Sequence, residues 1–247
     1  MKKIIGEKFL MKKIWALAKK ELRIYFNSPI AYIFLVAFLG LSSWIFFRTF
    51  FLAGQAQMRG FFEILPWIFL LLIPSLTMRI WSEEFRSGTI ETLFTSSISI
   101  PAAVAGKILA SFLFLIICLL LTFPLAISVG TLGNLDWGAV AAGYFGAFFL
   151  GASFIALGFF ISAATKNQIV AFILSAFSCF LFLIIGSQFV IFSLPNFLGN
   201  FCRFISLGTH FDSMLRGVFD TRDLIFYFSF ISLFLFLNIE ILQIKKK

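Results

Sequence analysis

Charged side chains are scarce in this sequence, and histidine is almost absent from it. Of its 247 residues, 13% are charged, 61% are hydrophobic and one is a histidine. A soluble domain of this length has no core large enough to bury so much apolar surface, so that class is excluded. Uncharged runs of about 20 residues recur, which is the length of a helix that crosses a bilayer. The composition therefore predicts an all-α polytopic membrane protein.

The side chains that most enzymes and ion-coupled carriers use are also missing. No Asp, Glu, Lys, Arg or His lies in the middle of a predicted span, where such carriers generally need one. There is no G-x-x-x-x-G-K-[ST] phosphate loop. His210 has only Asp212 nearby as a second metal ligand, and Cys118, Cys179 and Cys202 lack metal-binding spacing. We expect no catalytic residue, no metal and no cofactor in this chain.

Six apolar runs predict six transmembrane helices, with Pro74 kinking the second. The spans cover about residues 30–48, 61–80, 104–130, 139–163, 169–192 and 224–242. We expect residues 11–247 to form a single transmembrane domain. Residues 1–10 are a possible N-terminal extension, because the letters MKKI occur at Met1 and again at Met11.

The basic residues, which give a net charge of +9, indicate the orientation. They concentrate at both termini, around residues 79–107 and at Lys166, whereas far fewer lie in the other connections. This bias at the ends of apolar runs is typical of cytoplasmic segments, and it explains the positive charge without nucleic acid. The sequence therefore predicts a multi-pass protein of the bacterial inner membrane with both termini in the cytoplasm and residues 193–223 outside.

Residues 12–27 predict a basic amphipathic helix that lies on the anionic membrane surface. Apolar residues recur at helical spacing, and basic residues fill most of the opposite side. We call this segment the elbow helix; its candidate contact residues are Lys19, Lys20, Glu21 and Arg23.

A dense polar segment, residues 81–99, lies between the second and third predicted spans, and we call it the polar island. Gly88 is expected to end one short helix, and Thr89 to cap another with Glu91 in its first turn. Ser99 and Pro101 are typical of a cap and first turn for the third span. These signals fit either a solvated turn or a corner that inserts into a partner.

Two further patterns concern the outer connection and the fourth span. Phe211, Met214, Leu215 and Val218 predict an amphipathic helix lying on the outer surface. The polar candidates beside that face are His210, Asp212, Arg216, Asp220, Arg222 and Asp223, with Asp212 and Arg216 spaced to support one helix turn.

In the fourth span, small residues at helical spacing predict close helix packing within the chain or at a subunit interface: Gly143, Ala147, Gly151, Gly158 and Ser162.

The island letters EEFRSGTIETLFTSSISI closely resemble the cytoplasmic motif of ABC-2 type transporter permeases, acidic-x-R-x-G-T-x-E-x-L-x-T-x-P-[IV]-S. Ser97 departs from the motif, since the family often has proline there. The segment KKELRIYFNSPIAYI resembles the family's N-terminal elbow helix and the entry to its first span. The segment TKNQIVAFI and the stretch from His210 to Leu237 resemble the gliding-motility-type branch of the family. The motif residues that match are Glu84, Arg86, Gly88, Thr89, Glu91, Leu93 and Thr95.

The resemblance implies a six-helix permease that pairs as a homo- or heterodimer. Each permease would bind one cytoplasmic ATPase subunit, which carries the ATP and magnesium, so this chain is not expected to be an enzyme. The elbow helix and the island would contact that ATPase, the island as a coupling helix. The implied coupling residues are Glu83, Glu84, Phe85, Arg86, Gly88, Thr89, Glu91 and Leu93.

Two functions follow from the resemblance. The first is a permease that exports a hydrophobic or bulky substrate. The second is a mechanical or assembly module, which transmits ATPase cycles to an extracytoplasmic subunit through residues 193–223. A channel or secondary carrier is a third, less favoured alternative.

Overall fold

The long uncharged runs form helices joined by short turns, because a helix satisfies all of its backbone hydrogen bonds internally. The computed structural model describes residues 2–95, 98–192 and 194–246, with the side chains of residues 2–10, 30, 53 and 92–94 left aside. Within these ranges the chain contains helices and no strand. The all-α prediction is therefore confirmed.

The described residues form thirteen helices in chain order. They are α1 Lys2–Asn27, α2 Pro29–Ala53, α3 Arg59–Thr77, α4 Ser82–Ser87, α5 Thr89–Thr95, α6 Ile100–Leu121, α7 Phe123–Leu132, α8 Trp137–Ala164, α9 Gln168–Ile184, α10 Gln188–Phe192, α11 Asn196–Ile205, α12 Leu207–Leu215 and α13 Thr221–Lys246.

Five stretches of the described chain are long and apolar enough to cross a membrane. They are Ala31–Leu52, Arg59–Ser87, Ile100–Leu132, Trp137–Ala164 and Thr221–Lys246. The fifth predicted span, 169–192, is interrupted: α9 has 17 residues and is separated from α10 by a turn. A helix of 17 residues is at the short end of what spans a bilayer, so the count of six remains a prediction.

The third predicted span, 104–130, is two helices instead of one. α6 ends at Leu121, and α7 begins at Phe123 with Pro124 in its first turn. Thr122 lies between them and donates its hydroxyl to the carbonyl of Leu119 at 2.7 Å. Proline has no backbone N–H and its ring crowds the preceding turn, which explains the break.

α8 lies at the centre of the fold. Within its most apolar window 78% of the residues are buried, compared with 28% in the first span and 22% in the last. The small residues predicted on this helix make the close contacts: Gly143 faces Phe62, and Gly151 faces Leu115. Small side chains let membrane helices approach closely and gain van der Waals contact. Gly143 and Gly151 thus pack within the chain, which is one of the two interpretations of the ridge.

The outer helix differs from its prediction. Phe211, Met214 and Leu215 are buried, and α12 packs against α8 and α9 instead of lying on the surface. Val218 is not on the same helix, because α12 ends at Leu215 and Gly217 turns the chain with a φ of +78°. Val218 is therefore 54% exposed.

Gly158 provides a direct test of the packing of α8. A Cβ at this position would lie 2.2 Å from Thr77 Oγ1, on a residue that is fully buried. We expect Gly158→Ala to lower the free energy of unfolding by about 1–3 kcal/mol, as overpacking does. The measurement is thermal unfolding in detergent micelles. Gly40→Ala is the matched control: nothing lies within 4 Å of that Cβ, and alanine favours helix. Equal unfolding temperatures in the two variants would contradict the prediction.

Candidate functional site

The polar island forms a sharp corner of two short helices. α4 ends at Ser87; the next residue, Gly88, has a left-handed φ of +73°, and α5 begins at Thr89. Ser87 Oγ and Thr89 Oγ1 are 2.9 Å apart across the break. Thr89 is the first residue of α5. Glu91 lies in the first turn of α5, where the helix dipole favours a negative charge.

The entry to α6 follows the sequence signals. Ser99 is the extended residue before the helix, and Pro101 lies in its first turn. Pro at this position is pre-organised for a helix and gives up no hydrogen bond. The apolar side of the island is anchored by Trp81, which is fully buried, and by Ile90, which is 6% exposed.

A buried ionic bridge joins the island to the elbow helix. Lys107 Nζ, near the start of α6, lies 2.8 Å from Glu84 Oε1 and 3.1 Å from Glu21 Oε1. The exposed fractions of the three side chains are 8%, 24% and 19%. The Lys107 ammonium also lies 5.2 Å from the centre of the Trp81 ring. One cation on α6 therefore holds one carboxylate from α1 and one from α4. In the sequence, Lys107 is only one of the basic residues that indicate the orientation, and nothing there predicts its two partners.

A second contact reinforces the packing of α1 on α6. The Tyr25 hydroxyl is 3.0 Å from Ser111 Oγ, which donates to the Lys107 carbonyl at 3.2 Å. Burial raises the pKa of Tyr25 to about 12, so the phenol stays protonated. Gly106 faces Leu17 so closely that a Cβ would lie 2.7 Å from Leu17 Cδ2. The elbow helix is thus packed into the fold on its apolar side.

A cleft of about 720 Å³ opens beside the bridge, between α1 and the island. Its lining includes Lys20, Glu21, Arg79, Glu84 and Lys107. Arg79 Nε and Glu84 Oε2 are buried without a hydrogen-bond partner among the described residues. Buried polar atoms usually have a partner, so a docked polar group or water would satisfy them.

The remaining coupling residues divide by exposure. Within the island, Glu83, Arg86 and Glu91 are exposed, while Phe85 is half-buried and packs on the core. In the elbow helix, the basic candidates are exposed: Lys19, Lys20 and Arg23. The side chain of Leu93 lies outside the described residues. Glu84 and Glu21 therefore point inward, and the island and the elbow helix together expose a charged surface.

The outer candidates lie elsewhere and form their own cluster. His210 Nδ1 is 2.6 Å from Asp223 Oδ1, and Ser213 Oγ donates to the other oxygen of Asp223. The His210 ring stacks on Phe226 at 4.0 Å. These contacts fasten α12 to the start of α13.

The other outer candidates are not brought together in the same way. Asp212, Arg216 and Arg222 are exposed, and Asp220 accepts a hydrogen bond from the Arg222 backbone at 2.9 Å. Burial of the carboxyl raises the pKa of Asp212, although Arg216 acts in the opposite direction. Among the described residues, no group of three potential ligands could hold a metal.

The buried bridge predicts a large effect of removing its cation. Lys107→Met would leave the Glu21 and Glu84 carboxylates facing each other without a partner, which costs about 3–5 kcal/mol in comparable cases. We expect a loss of that size in the free energy of unfolding, measured by denaturation in detergent micelles. The triple variant with Glu21→Gln and Glu84→Gln added should recover most of it. Lys19→Met, at an exposed position, is the control. Wild-type stability of Lys107→Met would contradict the bridge.

The family model described as ABC-2 family transporter protein matches residues 49–239, which include the whole island. A search of the curated proteins found no match to the chain. The family match does not reach the level of a branch, so the gliding-motility-type resemblance remains a prediction. Since the match covers well over half of the sequence, this chain belongs to the ABC-2 family of transporter proteins.

Proposed function

We propose that this chain is the membrane-spanning permease subunit of an ATP-binding cassette transporter, driven by a separate cytoplasmic ATPase that docks on the elbow helix and the island. The observation that carries the proposal is the bridge from Glu21 through Lys107 to Glu84. It fastens the two elements that a partner would contact to each other and to α6. A partner that pushes either element therefore moves both.

The exposed face fits docking better than a solvated turn would. A turn that only stays in water needs no buried contacts, whereas Trp81 is fully buried and Glu84 is ion-paired. The same corner exposes Glu83, Arg86 and Glu91. In our proposal these three charges meet the ATPase, and Glu84 sets the angle of α4. ATP and magnesium bind to the ATPase, and the push of its closing subunits reaches the helices through the corner.

Contacts at one end of the molecule support the proposed orientation. The island, the elbow helix and the start of α6 meet at Lys107. Lys245, close to the C-terminus, donates to the Ala163 carbonyl at the end of α8 at 2.6 Å. The segments with the excess of basic residues thus share one end, as the positive-inside bias requires of the cytoplasmic side. We propose an inner-membrane protein with both termini in the cytoplasm.

The proposed substrate is hydrophobic or bulky, and the proposed direction is export. The buried ammonium of Lys107 lies near the start of α6, beside the island, and is already paired with two carboxylates. Coupling by a mechanical push needs no titrating group in the path, unlike coupling to an ion gradient. The first and last spans are mostly exposed, which leaves room for a second permease subunit beside lipid.

A second candidate function is the assembly module, and one observation favours it. α11, in the outer connection, exposes Phe197, Phe201 and Phe204, which recur at helical spacing. An exposed apolar face of this kind marks a contact with a membrane surface or a protein. In this alternative the partner is an extracytoplasmic subunit that receives the motion without ordinary transport.

Purification of the chain in mild detergent, with mass spectrometry of what remains bound, tests both candidates. An ATPase with a phosphate loop is the expected companion. The ATPase alone, or with a second permease, supports transport, and a large extracytoplasmic subunit supports the assembly module. A permease that binds no ATPase in native membranes would refute the proposal.

The exposed charges of the island predict an effect of substituting Arg86. We expect Arg86→Glu to reduce co-purification of the ATPase at least tenfold, because reversing a rim charge opposite a complementary surface creates repulsion. The amount of permease in the membrane should not change, since Arg86 is exposed. Arg222→Glu, an exposed arginine of the outer segment, is the control. Unchanged recovery of the ATPase with Arg86→Glu would remove this residue from the docking surface.

The backbone of the corner generates a prediction for Gly88. Its φ of +73° is unfavourable for residues with a Cβ by about 1–2 kcal/mol, although asparagine tolerates it. Nothing lies within 4 Å of a Cβ there, so any effect comes from the backbone. We expect Gly88→Val to keep the ATPase bound but to lose the stimulation of ATP hydrolysis by the permease. Gly88→Asn should behave as wild type, and full stimulation in Gly88→Val would disprove the role of the bend.

A further inference from the structure

The turn between α3 and α4 is held by a side chain from a distant part of the sequence. Ser162, fully buried on α8, accepts hydrogen bonds from the backbone N–H groups of Trp81 and Ser82 at 3.1 and 3.2 Å. Its hydroxyl donates to the Met78 carbonyl at 3.1 Å. One donor and two acceptor positions are all that a serine hydroxyl has, so its capacity is fully used.

The same end of α8 is bonded to α13. Asn238, buried in α13, donates to the Phe159 carbonyl at 2.7 Å. Lys245 donates to the carbonyls of Ala163 and Ala164 at 2.6 and 3.2 Å. These carbonyls are among the last of α8, where the helix dipole favours a cation.

Lys245 also reaches the island itself. Its ammonium lies 4.3 Å from the centre of the Phe85 ring in α4, which is within the range of a cation–π interaction. One lysine near the C-terminus therefore touches α8 and the island at once. Sequence order offers no such route, because the island is covalently continuous only with the second and third spans.

We infer that residues 158–164 of α8 form a relay that passes the movement of the island to α13, with Ser162 as the positioning residue on the island side. Asn238 and Lys245 are its contacts on the α13 side. The inference rests on the proposed function, because the movement comes from the ATPase. It extends that function, since the island would then drive the fourth and last spans together with the second and third.

The close packing of the relay explains why it transmits movement instead of absorbing it. Gly158 and Thr77 are in direct contact, so α3 and α8 have no gap at this level. Thr77, Ser82, Ser162 and Asn238 are all fully buried. A shift of the corner must move the end of α8 or break three hydrogen bonds to Ser162.

The first test uses the permease alone and follows amide hydrogen exchange. Ser162→Ala removes the acceptor of the Trp81 and Ser82 amides, and we expect both to exchange about tenfold faster, the equivalent of one hydrogen bond. Ser153→Ala is the matched control on the same helix, because its buried hydroxyl donates to Phe149 of its own turn. Unchanged exchange at residues 81 and 82 in Ser162→Ala would overturn the inference.

The second test uses the complex of permease and ATPase in nanodiscs, and compares exchange in α13 with and without ATP and vanadate. We expect the nucleotide-dependent change in α13 to be lost in Ser162→Ala and in Lys245→Met, while the ATPase stays bound. Lys245→Arg should restore it, since arginine also donates to carbonyls, and the exposed Lys246→Met should leave it intact.

The outcomes separate the two proposals. If the wild-type complex responds to nucleotide and both relay variants respond equally, the relay is refuted and the proposed function stands. If the wild-type permease binds no ATPase, the proposed function and the relay fail together. Lys245 has an exposed side chain, so its variant remains informative even where Ser162→Ala does not fold.

Discussion

A lysine ammonium buried among three helices governs this end of the molecule. Taking a charge out of water costs several kcal/mol, so Lys107 needs both carboxylates that face it. One comes from the elbow helix and one from the island. Because neither helix can leave without stranding a buried charge, the bridge fixes how the surface elements sit on the membrane helices. The cleft, the exposed charges of the island and the packing of α1 all follow from that arrangement.

The local features of the island could be predicted from the sequence, and its contacts could not. Gly88 and Pro101 determine backbone geometry by their own chemistry, so the two breaks lie where the sequence indicates. Glu84 and Lys107, by contrast, lie on two different helices, α4 and α6, with α5 between them. Glu21 lies on α1, far away in the sequence. Nothing in the spacing distinguishes Glu84 from its exposed neighbour Glu83, because tertiary packing decides which one faces Lys107.

The same distinction explains where the fold differs from the predicted helices. Hydropathy detects that residues 169–192 are apolar, but the close approach of Gly186 to Ser206, where a Cβ would lie 2.5 Å from Ser206 Cβ, is a tertiary contact at the interruption. Helical spacing placed Val218 with Phe211, although Gly217 had already turned the chain. His210 and Asp223 are thirteen residues apart, and only the folding of α12 onto α13 brings them together. Periodicity describes one helix at a time, whereas these features belong to pairs of helices.

The residues of the α8 ridge are all small, yet their positions differ in the substitutions that they tolerate. At Gly143 and Gly151 the constraint is one of volume, because aromatic and aliphatic side chains fill the space in front of them. At Ser162 the constraint is one of volume and of hydrogen-bond valence together. Alanine would fit without bonding, and threonine would add a methyl group to a fully buried site. Most positions of the ridge thus tolerate exchange among small residues. At position 162, where the ridge meets the corner, serine is nearly the sole residue type that fits.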